Sequence, residues 1–114
     1  MQDSYIVHWQ AELSGEQGGN QFILHGHTHD ISLGGANLHL EQALDFRGPL
    51  TLELKIPKGK SIQDWATVRV VCRVVLVTEA EDHFRVQVHF DSFIGDGKQV
   101  LEGACNERRG FSAS

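Results

Sequence analysis

No lysine or arginine occurs in this chain before Arg47. An anion bound by the N-terminal part must therefore find its cation elsewhere in the fold. Across all 114 residues, 10 Lys and Arg stand against 15 Asp and Glu, a formal net charge of −5 with the seven His taken as neutral. Duplex nucleic acid needs a basic face, and anionic membranes attract basic clusters. No DNA partner and no membrane insertion are therefore expected. Cysteine is scarce too. Cys72 and Cys105 form no disulfide framework, and neither has a second Cys at metal-ligand spacing. Cys72 lies in an apolar run and should pack as a small hydrophobe; Cys105, near the C-terminus, is expected to be exposed. No apolar run reaches membrane-spanning length, and the N-terminus lacks the basic and apolar regions of a signal peptide. A soluble, cytoplasmic protein is expected. The length suits one domain, 1–114, with a modest core and with residues 1–4 and 111–114 frayed.

What the chain does have is alternation. Leu50, Leu52, Leu54 and Ile56 interleave with Thr51, Glu53 and Lys55, the period-2 signature of a half-buried strand. Trp65–Thr78 is valine-rich, with Val68, Val70, Cys72, Val74 and Leu76 expected on one face and Arg69 and Arg73 on the other. Phe84, Val86, Val88 and Phe90 should face inward, with Arg85, Gln87 and His89 outward. Tyr5–Leu13 reads as a first strand, closed by a wide glycine-rich turn over 14–20. Gln21–Ser32 and Ala36–Leu40 follow as strands. Asp91–Gly97 reads as a turn and Lys98–Glu107 as a short helix with Val100, Leu101 and Ala104 on its apolar stripe; Arg108-Arg109-Gly110 suits its end. Short antiparallel strands joined by polar turns predict an all-β barrel or sandwich.

Catalytic signatures are thin. His25, His27 and His29 alternate along one strand, so their side chains share a face. Adjacent pairs lie about 6.6 Å apart at Cα, so a straight strand offers one ion two of the three. A third ligand would have to come from another strand, with His8 or His39 as candidates. The ligand set is incomplete, and no metal and no cofactor are expected. No orienting group or oxyanion hole accompanies Ser32 and His29, so no enzyme is expected. Gly15-x-x-Gly18-Gly19 lacks the Lys-Ser/Thr and helix of a phosphate loop.

The most informative stretch is His29-Asp30-Ile31-Ser32-Leu33-Gly34-Gly35. Asp30 and Ser32, two apart in extended chain, point to the same side and form one polar edge. The carboxylate can accept bidentate hydrogen bonds, and Gly34-Gly35 allows a turn with positive φ and a close approach to backbone. An Asx-type turn between two strands uses the same residues.

Asp30-x-Ser32-x-x-Gly35 resembles the Asp/Asn-x-Ser-x-x-Gly motif of the PilZ domain family. The short strand after it, the Gly48-Pro49-Leu50 entry and the closing strand Phe84–Phe90 extend the resemblance over most of the chain. It implies a small six-stranded antiparallel β-barrel with a short C-terminal helix. It also implies a bacterial cyclic di-GMP receptor or adaptor with Asp30, Ser32 and Gly35 as ligand residues. The family's Arg-x-x-x-Arg motif would fall at Ile6 and Gln10, and neither is arginine. A charge-assisted contact contributes roughly 1.5–3 kcal/mol, so losing two costs about 3–6 kcal/mol, or roughly two to four decades of affinity. The resemblance thus implies a weakened site, with Arg69, Arg73, Arg108 and Arg109 as substitute cations. The alternative is a degenerate module that binds an unidentified partner protein and no nucleotide.

Overall fold

A computed structural model describes residues 4–46, 48–57 and 65–112, with 107–112 described as backbone only. Six strands precede one helix: β1 (Gln10–Gln17), β2 (Asn20–Ile31), β3 (Gly35–Leu40), β4 (Leu50–Pro57), β5 (Trp65–Glu79), β6 (Phe84–Ile94) and α1 (Gly97–Ser112). All neighbouring strands pair antiparallel in a closed barrel, ordered β1-β2-β3-β6-β5-β4. Closure leaves no free sheet edge. This is the all-β barrel with a C-terminal helix that the sequence predicts.

The core follows from alternation. Leu13, Leu38, Leu52, Leu54, Val68, Val70 and Val86 are fully buried. In β4 every second residue from Leu50 to Ile56 is buried, while the residues between are partly exposed. Each fully buried aliphatic side chain contributes about 1.5–3 kcal/mol of transfer free energy. The helix packs on β5 and β6 and adds Leu101 and Cys105 to the same cluster.

Several boundaries depart from the sequence reading. Strand β1 starts at Gln10 rather than Tyr5 and runs on to Gln17. The glycine-rich stretch is a two-residue turn at Gly18-Gly19, with φ of 61° and 84°. Two positive φ values in succession give the hairpin turn whose twist matches its strands. Strand β6 continues to Ile94, and only Gly95, φ 63°, and Asp96 turn the chain into the helix. The helix passes through Arg108-Arg109-Gly110 and extends to Ser112. Cys105 is buried, not exposed. It lies four residues after Leu101, so both face the barrel on one helical stripe.

The largest departure is in β5. Register shifts against β6 fall between Val71 and Cys72 and between Val74 and Leu76. The second puts Leu76 outside at 55% exposure and turns Val77 toward the core. A strand with valines on both faces gives no sequence signal of such a slip.

Burial raises both thiol pKa values, that of Cys72 to about 12, with Asp91 adding to the effect there. A thiol without thiolate character is unreactive. Neither cysteine should react with a disulfide reagent at neutral pH until the protein unfolds. Thiol titration with and without denaturant checks this.

Candidate ligand site

The site is built around a bulge in β2. Thr28 opposes Leu38, but Asp30 opposes Asn37, so the pairing slips between them. Thr28 and Ile31 on either side are fully buried. Strict alternation would put His29 and Asp30 on opposite faces; the bulge leaves both on the outside. They touch there, with His29 Nδ1 3.0 Å from Asp30 Oδ2.

Asp30 is then fixed by its neighbours. Asn37 Nδ2 donates to both carboxylate oxygens, at 2.9 and 3.1 Å, and Ser4 Oγ donates at 3.3 Å. A carboxylate offers about four acceptor positions, so these donors nearly fill it. Ser32 also has local partners. Its Oγ accepts from Gly34 N–H at 3.2 Å and donates to the Gly35 carbonyl at 3.4 Å. The Ser32 N–H donates to that same carbonyl at 2.9 Å. The hydroxyl therefore locks the β2–β3 turn as well as facing the groove.

Gly34 and Gly35 do not take the positive φ that the sequence suggests; among described residues only Gly18, Gly19 and Gly95 do. Gly35 is needed for another reason. A Cβ there would sit 2.4 Å from the Val88 carbonyl oxygen. The missing side chain lets β3 approach β6.

Asp30, Ser32 and Gly35 converge on one open cavity of about 380 Å³. Its wall is completed by Gly34, Asn37, Gln87 and His89 and by the apolar Val75 and Val88. A second cavity of about 520 Å³ shares Asn37 and Gln87 with the first and adds Arg85, His83, Thr78 and Leu76. Together they form a continuous groove across β3, β6 and β5.

The N-terminal segment ahead of β1 lies against the end of β2. Tyr5 and Ile31 exchange backbone hydrogen bonds at 2.8 and 2.9 Å. The buried Thr28 hydroxyl donates to the Val7 carbonyl and accepts from Trp9 N–H. Ile6 lies within this pinned segment and Gln10 opens β1; both side chains are exposed.

The expected substitute cations fare differently. Arg73 makes a two-pronged contact with Asp91, at 2.8 and 2.9 Å, and this carboxylate raises its pKa. Arg69 pairs with Glu53 at 3.3 Å. The side chains of Arg108 and Arg109 lie outside the described residues. Arg85, Asn37 and Ser4 were missed by the sequence reading. Asn37 carries no signal without the β2–β3 register, and Arg85 reads as an ordinary outward strand residue.

The PilZ domain family model matches residues 7–107. This chain belongs to the PilZ domain family. PilZ domains are binding and adaptor modules, and the family includes cyclic di-GMP receptors. The solved structure of the Bacillus subtilis Inhibitor of motility (MotI/DgrA) superposes with a TM-score of 0.71 at 12% identity, covering 96% of this chain and 51% of that one. The chain thus spans about half the length of that protein, and the likeness concerns the fold. No curated protein matches the chain. Among the described residues, no helix of this PilZ domain is long and apolar enough to cross a membrane.

Proposed function

We propose that this PilZ domain is a cyclic di-GMP receptor or adaptor of bacterial second-messenger signalling, acting in the cytoplasm with a weakened ligand site. The observation that supports the reading is the convergence of Asp30, Ser32 and the Gly34-Gly35 backbone on one cavity. Asp30 accepts from a guanine edge, Ser32 contacts guanine or phosphate, and Gly35 keeps the backbone open to the ligand. Ser4 makes the longest contact to Asp30 and is the donor that the ligand displaces. Arg85 meets the phosphate from the adjoining cavity, because Arg73 is committed to Asp91. No catalytic step is part of this reading, and no cofactor is needed.

Titration calorimetry with cyclic di-GMP on the intact chain tests it. Wild type should bind, Asp30→Ala should weaken binding by about 1–3 kcal/mol, and Arg85→Ala should weaken it about tenfold. Absence of both heat and amide shifts at about millimolar ligand, a binding free energy weaker than about −4 kcal/mol, would exclude the receptor reading.

A second reading is a module that binds a partner protein and no nucleotide. Val75 and Leu76 support it, since they stand 56% and 55% exposed on the rim of the same groove. Adjacent apolar side chains of this size favour a protein contact.

A further inference from the structure

The strand register lines up basic side chains across one wall of the barrel. His27 of β2 opposes His39 of β3, His39 opposes Arg85 of β6, and Arg85 opposes Thr78 of β5. Directly opposed residues share a face, and like charges placed so repel each other. Further imidazoles widen the row. The His39 ring centroid lies 5.1 Å from His27, 5.1 Å from His29 and 4.3 Å from His83 of the β5–β6 turn. His8, from the N-terminal segment, lies 6.0 Å from His27 and 6.2 Å from His29.

Few carboxylates offset this group. Asp30 Oδ2 lies 3.0 Å from His29 Nδ1, but Asn37 and Ser4 also occupy that carboxylate. Asp82 Oδ1 lies 2.7 Å from His83 Nδ1. Glu79 and Glu81, at the end of β5 and in the turn, make no ion pair among the described residues, and neither does Arg85. Arg69 and Arg73, by contrast, are paired with Glu53 and Asp91. The Nε2 atoms of His39 and His83 are buried without a hydrogen-bond partner, which native structures rarely leave so. Burial, then His83, His27, His29 and Arg85, lower the His39 pKa. Without an anion beside it, His39 resists its proton.

We propose that the cavity walled by Arg85, His83 and Thr78 is a proton-dependent site for a phosphate-type oxyanion, with His39 and the β2 histidines supplying positive charge behind it. The cavity holds about 520 Å³, and Arg85 is the one fixed cation among the described residues of its wall. Imidazole is the side chain that gains charge under mild acid, so protonation adds to a wall otherwise short of cations. In the free protein that charge sets His27, His39 and Arg85 against one another, and the lowered His39 pKa costs stability as the pH falls below its ordinary 6.5. A bound oxyanion reverses the balance. It favours the charged imidazole and raises the His39 pKa; reciprocally, its affinity rises as the pH falls. The site stands on its own for a free oxyanion, and rests on the receptor reading where the oxyanion is the phosphodiester of the nucleotide.

The test titrates sulfate into the intact chain, with chloride holding the ionic strength constant. Sulfate keeps both negative charges from mild acid to mild alkali, so a change in binding belongs to the protein. Wild type should bind it about tenfold or more tightly at about pH 5.5 than at about pH 8. Imidazole ¹⁵N spectra of wild type should show the His39 titration moving to higher pH in sulfate, whichever variants fold. Arg85→Gln should weaken binding at both pH values, and His83→Gln should flatten the pH dependence. His25→Asn should keep both, because His25 pairs with Glu12 outside the ring group. Equal affinity at the two pH values would overturn the site, as would an unmoved His39 titration or equal flattening in His25→Asn and His83→Gln. Cyclic di-GMP at the same two pH values identifies the source of the oxyanion. Tighter binding in acid, with competition by sulfate, assigns the site to the phosphate of the nucleotide. Sulfate binding as expected with no nucleotide binding overturns the receptor reading and leaves a site for free oxyanions. Nucleotide binding with neither sulfate binding nor pH dependence overturns the oxyanion site and leaves the receptor reading standing.

Discussion

Ile6→Arg combined with Gln10→Arg is expected to raise affinity for cyclic di-GMP by roughly two decades or more. The expectation rests on the receptor reading and on where the N-terminal segment lies. Its backbone is tied to β2 through Tyr5, Val7 and Trp9, which brings residue 6 alongside Asp30, while residue 10 opposes His27 three residues further along β2. Neither position carries a guanidinium group. Each restored charge-assisted contact contributes roughly 1.5–3 kcal/mol, and a pair about 3–6 kcal/mol before ordering costs. The gain should shrink as salt is raised, because surface charges are screened within about 8–10 Å at physiological ionic strength. Calorimetry at low and high salt on a folded double variant checks both points. A folded variant with wild-type affinity would mean that the groove does not take the nucleotide at that end.

The sequence carried the barrel because most of its strands obey simple alternation. Leu50 to Ile56 is the clearest case, and the buried set of β4 matches it residue by residue. Legibility stopped where the ladder slips. Nothing in Val68–Val77 distinguishes a regular strand from one with two register shifts, so the outward turn of Leu76 was not foreseeable. Cys105 was misjudged on its nearness to the C-terminus, although its spacing from Leu101 was the better guide. At the site, Asp30 and Ser32 were singled out by their spacing together with the family motif they resemble. Asn37 was not, because the carboxylate meets it only through a slipped β2–β3 pairing. The histidine row was visible as a row. Its junction with His83 depends on β3 lying beside β6, a contact between segments far apart in sequence.

Gly35→Val separates the two roles that a motif glycine can have. If Gly35 served only to admit a ligand, a side chain there would weaken binding and leave stability intact. The geometry requires more. Gly35 opposes His89 in the β3–β6 ladder, and a Cβ would meet the Val88 carbonyl oxygen at 2.4 Å. That oxygen belongs to the backbone of a central strand, so no side-chain rotation relieves the overlap. The two strands must part locally, next to the buried Ala36 and Val88. Overpacking of this kind typically costs about 1–3 kcal/mol, and the backbone position of the clash puts Gly35→Val at about 3 kcal/mol or above. For a domain of this size each kcal/mol lowers the melting temperature by about 4–8 °C. Thermal unfolding without ligand should therefore show a fall of roughly 12 °C or more. A Gly35→Val protein that melts like wild type but binds less nucleotide would assign the glycine to the ligand alone. The expected loss of stability assigns it first to the closure of β3 on β6.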